Sequence, residues 1–145
     1  MFTKNDEIQI YYTGVSTRHG EKGKKLGIGL ATLPADRFVA LRPENPDKEG
    51  FLETRLLKLT GRELIINAEV RGHDLRVELV DKTGNVIPRF TRAQSRLIPH
   101  DKLRYRVVWE NDGIQRSLAQ ALTGQPLALR FILRGGNLYA FRVVE

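Results

Sequence analysis

The chain has 145 residues, about one domain's worth of sequence, and its 41% hydrophobic and 28% charged content excludes wholesale disorder. No apolar run approaches the roughly 20 residues of a membrane helix, residues 1–7 lack the apolar core of a signal peptide, and the absence of cysteine excludes disulfides, zinc ribbons and thiol catalysis. Twenty-four Lys and Arg against 17 Asp and Glu leave a formal charge of +7, so a polyanionic partner has to be weighed; apart from Lys22, Lys24 and Lys25, however, the cations are scattered as on a solvated surface.

Period-two alternation runs through most of the chain. A strand over residues 7–13 is followed by a polar loop over 14–25 and a second strand over 26–33. In that second strand Gly27, Gly29 and Ala31 alternate with Leu26, Ile28 and Leu30, so one face is nearly bare and something must pack closely against it. Two prolines and several charges over residues 42–50 mark a connection. Beyond it, Leu64, Ile66, Ala68 and Val70 fall on one side of a strand, and Leu75, Val77 and Leu79 do the same in the next. The polar link Arg71-Gly72-His73-Asp74 between them predicts a hairpin. A turn at Lys82-Thr83-Gly84-Asn85 ends the second of these strands. Leu103, Tyr105, Val107 and Trp109 share a further strand face. Over 114–122, Ile114, Leu118, Ala121 and Leu122 share a helical face, with Gly124 as a stop before Pro126. Finally, strands over 127–134 and 137–144 flank Gly135-Gly136, a second expected hairpin.

About eight or nine short strands in one chain predict an all-β fold, a two-layer antiparallel β-sandwich with jelly-roll connectivity as one option. The division expected is residues 1–42, an N-terminal strand group, and residues 43–145, the sandwich, packed as one compact domain.

Few residues carry chemistry on spacing alone. Arg18-His19-Gly20-Glu21 matches the opening motif of histidine phosphatases, but that chemistry needs an α/β scaffold and no βαβ pattern is present, so the segment reads as a solvated loop with His19 exposed. Gly27-Ile28-Gly29 leads into strand residues rather than a helix and cannot cradle a phosphate. His19, His73 and His100 are too dispersed for a local metal site. Glu63, Glu69 and Glu78 fall at outward or strand-end positions, and no carboxylate pair stands out for acid–base work. Asp47, Glu49 and Glu53 are candidates for a structural calcium; no other cofactor is indicated. Tyr105 and Trp109 belong to the core by alternation, whereas Tyr11 falls with Gln9, opposite Ile8, Ile10 and Tyr12, and is expected to be the more exposed of the two adjacent tyrosines.

The segments Tyr11-Tyr12-Thr13-Gly14, Ile28-Gly29-Leu30-Ala31-Thr32-Leu33 and Asp36-Arg37-Phe38-Val39-Ala40-Leu41, with the strands that follow, resemble the end of the glycosidase-like five-bladed β-propellers of glycoside hydrolase families 32 and 43. The resemblance implies that residues 1–42 finish a last propeller blade and that the remainder is the C-terminal β-sandwich. The catalytic acids of such propellers lie on earlier blades, upstream of anything in this sequence, so the resemblance implies a noncatalytic accessory module. Its expected partners are carbohydrate or an adjacent glycosidase-like domain, not nucleic acid or membrane. For a glycan site the candidates are Tyr11 as a stacking ring, with Arg104, Arg106 and Arg130 as hydrogen-bond donors. The alternative is a polyanion-binding sheet face built from Arg76, Arg104, Arg106, Arg130, Arg134 and Arg142.

Overall fold

The structure, a computed structural model, describes residues 1–70, 74–95 and 100–145. It is all-β and divides into two compact units, Met1–Phe38 and Val39–Glu145. The division falls ahead of the expected 42/43 break because Leu41 already pairs with Leu138 in an antiparallel bridge and so belongs to the second unit.

The first unit is a three-stranded antiparallel meander, β1 (Phe2–Lys4), β2 (Glu7–Val15) and β3 (Leu26–Pro34), in the order β1-β2-β3. Asn5 and Asp6, both at positive φ, make the two-residue turn between β1 and β2. β2 and β3 pair over their whole length, from Glu7 opposite Pro34 to Val15 opposite Leu26. The close approach expected at the glycines is found at Gly29, where a Cβ would collide with the Tyr12 ring that lies across it; at Gly27 the space is open.

The second unit is the sandwich. Its strands are β4 (Glu49–Glu53), β5 (Glu63–Glu69), β6 (Asp74–Val80), β7 (Asp101–Arg106), β8 (Trp109–Asn111), β9 (Ile114–Arg116), β10 (Ala128–Arg134) and β11 (Asn137–Val144). One sheet has the order β4-β10-β6, the other β11-β5-β7, and β8 and β9 form a separate pair. Both sheets turn their apolar faces into one core. Leu64, Ile66, Leu75, Val77, Leu79, Val107, Leu129 and Phe131 are all buried there, as their alternation predicts, and burying each contributes about 1.5–3 kcal/mol. Phe131 of one sheet meets Phe141 of the other at 5.2 Å between ring centroids. Trp109, fully buried, packs edge-on against Phe90 and donates its indole N–H to the Val77 carbonyl at 2.8 Å, so its one polar atom is satisfied.

Three expectations need correction. β5 and β6 are not a hairpin: both edges of β5 are taken by β11 and β7, so β6 lies in the opposite sheet. The expected turn residues Arg71, Gly72 and His73 lie outside the described residues. The same rule separates β10 from β11, since β10 already has β4 on one edge and β6 on the other. Gly135 and Gly136, at φ 67° and 69°, therefore carry the chain from one sheet to the other. A Cβ on Gly136 would sit 2.7 Å from Val70 Cγ1 and 2.8 Å from the Glu69 carbonyl oxygen. Nor is 114–122 a two-turn helix. Asp112 and Gly113, at φ 52° and 76°, form a two-residue turn that claims 114–116 as β9, leaving only a 3-10 turn at Leu118–Ala121.

The turn after β6 forms as expected. Asp81 Oδ1 accepts from the Thr83 hydroxyl (2.7 Å) and from the backbone N–H groups of Thr83 (2.8 Å) and Asn85 (3.0 Å). These bonds, the Thr83 hydroxyl first, hold the Asp81 carboxyl below its ordinary pKa. In β11 a bulge at Tyr139 resets the alternation, which lets both Leu138 and Phe141 face the core and explains why the sequence leaves that strand's inward side ambiguous.

Candidate functional site

The expected glycan-binding residues are distributed over three strands. Tyr11 lies on β2 of the first unit, Arg104 and Arg106 on β7 of one sandwich sheet, and Arg130 on β10 of the other. Tyr11 and Tyr12 are equally exposed, each at 56%, because beyond Ile10 the β2-β3 ladder is open on both faces. Arg106 is paired with Glu63 at 2.8 Å. The arginines of the polyanion alternative divide in the same way, with Arg76, Arg130 and Arg134 on the β4-β10-β6 sheet and Arg104, Arg106 and Arg142 on the other, so they do not share one face.

What does assemble is the outer face of β4-β10-β6. Residues directly opposite in an antiparallel ladder share a face, and the register sets three successive rows there. These are Glu53-Arg130-Glu78, Phe51-Ile132-Arg76 and Glu49-Arg134-Asp74. Arg130 is at the centre. Its Nε donates to Glu53 Oε2 at 2.6 Å and its Nη1 to Glu78 Oε1 at 2.7 Å. Glu78 Oε2 also accepts from the Arg92 backbone N–H at 3.3 Å, and the Arg92 side chain pairs with Glu49. Arg76 donates to Asp74 at 3.1 Å and to the Ser95 carbonyl at 2.7 Å.

The electrostatics follow from this pairing. Glu78, although on the outward side of its strand, is 6% exposed and lies under Arg130, which donates to it. The Arg130 guanidinium is held still more firmly protonated than usual, first by its bond to Glu78 and then by that to Glu53; Glu49 does the same for Arg92. Beside this network the Phe51 ring stands 76% exposed. A cleft of about 370 Å³ runs along the face and is bounded by Phe51, Ile132, Arg130, Arg92, Glu78 and Glu49. Alternation places Glu78 outward, but the sequence gives no sign that Arg130, 52 residues away in the chain, would cover it.

The calcium candidates Asp47, Glu49 and Glu53 do not converge in this geometry. Glu49 is committed to Arg92 and Glu53 to Arg130, and no group of three acidic or histidine residues converges among the described residues. Arg18-His19-Gly20-Glu21 is a reverse turn. The Glu21 N–H donates to the Arg18 carbonyl at 3.3 Å, Glu21 Oε2 accepts from the Arg18 N–H at 3.2 Å, and Gly20 supplies the positive φ of 94°. His19 is exposed, as expected, and the glycine and glutamate of the motif have a local structural task.

One further surface stands out. On the β2-β3 ladder, Tyr11 is opposite Leu30, Thr13 opposite Ile28, and Val15 opposite Leu26, all on one face. Its apolar members are 49% to 82% exposed, Ile28 the most. No family model, curated protein or solved structure matches the chain. The candidate surfaces therefore rest on geometry alone: a paired, charge-balanced sheet face on the sandwich and an uncovered apolar face on the meander.

Proposed function

We propose that the chain is a noncatalytic accessory β-sandwich of a glycosidase-like protein, whose meander docks through the Tyr11 face of β2 and β3 onto a neighbouring five-bladed β-propeller. The carrying observation is the run of Tyr11, Val15, Leu26, Ile28 and Leu30 on one face of a two-strand ladder, every one of them about half exposed or more. Two features support a sheet-bearing partner. The resemblance of β2 and β3 to the last strands of a propeller blade makes such a domain the natural neighbour. The loop at the end of the ladder carries Arg18, Lys22, Lys24 and Lys25 against Glu21, an excess of positive charge that favours an acidic surface on whatever partner it meets.

The test is a calorimetric titration of the chain into a glycosidase-like five-bladed propeller produced without its final hairpin. One-to-one binding is expected, weakened at least tenfold by Ile28→Lys, since burying this side chain contributes about 1.5–3 kcal/mol. No binding, or equal binding by the variant, contradicts the proposal.

A further inference from the structure

β3 is hydrogen-bonded along one side only: among the described residues it pairs with β2 and with no other strand. Two bonds frame that ladder and fix which backbone groups it uses, the Ser16 N–H donating to the Lys25 carbonyl at 3.1 Å and the Ala35 N–H to the Asp6 carbonyl at 2.7 Å. Bonded and non-bonded pairs alternate in an antiparallel ladder, so Gly27, Gly29, Ala31 and Leu33 turn their backbone groups towards β2, whereas Leu26, Ile28, Leu30 and Thr32 turn theirs outward. All four of the outward residues are exposed.

An open strand edge is ordinarily guarded by charge, by proline or by a covering segment. In the sandwich, β6 is bridged by Val86 at Val80 and bonded to Ile87 and Phe90 at Leu79. β4 carries Glu49 and Glu53, and β7 carries Asp101, Lys102, Arg104 and Arg106. β3 has none of these devices before Pro34, its last residue, and of the eleven described strands it is the one without a charged side chain. What such an edge accepts is another strand, through backbone bonds. The sequence of β3 suits a second copy of itself in antiparallel alignment. A two-fold axis at Gly29 sets Ile28 of one copy opposite Leu30 of the other and Leu26 opposite Thr32, so every outward residue exchanges bonds and no like charges meet. Pro34, which has no N–H to give, falls beyond the last pair. The same alignment brings the loop with Lys22, Lys24 and Lys25 of one copy towards the end of the other that carries Asp6, Glu7 and Asp36 against Lys4 and Arg37.

We infer that β3 pairs edge to edge with β3 of a second copy of the chain, joining two three-stranded meanders into one continuous sheet. The pairing uses outward backbone groups and the propeller docking uses side chains on a sheet face, so either can fail without the other. Four residue pairs make an interface well below the roughly 1,200 Å² of a standard one, so the dimer dissociates on dilution and the dilute chain is a monomer with its edge open.

The experiment is sedimentation equilibrium of the full chain, with no propeller present, from about 1 to about 500 µM. The parent passes from monomer to dimer across that range. Thr32→Pro, which removes an outward N–H and none of the bonds to β2, stays a monomer and keeps the far-ultraviolet circular dichroism of the parent. Because the chain has no cysteine, the register is read independently from a mixture of Leu26→Cys and Thr32→Cys chains. These positions are opposite each other in the pair while like positions are about 20 Å apart, so the mixture oxidises to a covalent heterodimer at least about fivefold faster than either variant cross-links alone. Should Thr32→Pro lose the parent's spectrum, the cross-link decides. The inference is overturned if the parent is still a monomer at the highest concentration, if a folded Thr32→Pro dimerises as the parent does, or if the mixture cross-links no faster than the single variants.

Discussion

Arg130 illustrates how much a single side chain organises and how little of that is visible before folding. It spans two carboxylates, one of which, Glu78, is buried. Removing the guanidinium leaves that carboxylate without its partner in a place that water reaches poorly. Such losses run to about 3–5 kcal/mol for fully buried pairs, and the remaining 26% exposure of Arg130 puts this one at about 2–3 kcal/mol. Arg130→Ala is therefore expected to lower the chemical-denaturation stability by that amount, whereas Arg130→Ala combined with Glu78→Gln recovers part of it. A double variant as unstable as the sum of the two single changes would show that the pair is not coupled. Periodicity places Arg130 outward and stops there; its partners sit 77 and 52 residues away and become neighbours only through strand order. For Trp109, alternation with Leu103, Tyr105 and Val107 places the ring in the core and it is buried there, although the strand ends at Arg106 and Val108 is buried beside it. The equal exposure of Tyr11 and Tyr12 had no sequence signal, because alternation assigns faces but does not say that the far end of a ladder lacks a cover on both.

Among the elements, strand positions were legible and strand partners were not. Alternation is the same whether two successive strands lie side by side in one sheet or face each other across a core, so the patterns of β5, β6, β10 and β11 fit both arrangements. What decides between them is the occupancy of strand edges, which depends on the distant β4 and β7. The Asp112-Gly113 turn, by contrast, was present in the sequence as a two-residue hairpin signal, and the helical spacing of the residues after it obscured that signal. The crossing at Gly136 makes a sharp prediction. Its left-handed backbone and the tight approach of Val70 leave no room for a methyl group, so Gly136→Ala should destabilise the sandwich by about 1–3 kcal/mol, whereas Gly84→Ala, strained at φ 86° but facing open space, should cost only about 1 kcal/mol. Thermal unfolding of the two variants side by side separates crowding from backbone strain; equal losses would mean that the Val70 contact adds nothing.

At the scale of the molecule, the two units differ in how they are held. The sandwich closes around a continuous core drawn from both of its sheets. In the meander Ile8 is the one buried apolar residue among those described, and a three-stranded sheet without a covered face is of marginal stability by itself. That contrast is the physical basis for the docking role proposed for the meander. Hydrogen–deuterium exchange of the chain, alone and with a propeller lacking its final hairpin, tests this assignment most directly. The account predicts fast exchange over residues 10–15 and 26–30 in the free chain and strong protection of the same amides in the mixture, while β5, β6 and β10 stay protected throughout. Unchanged exchange in the meander, or new protection confined to the sandwich, would contradict it.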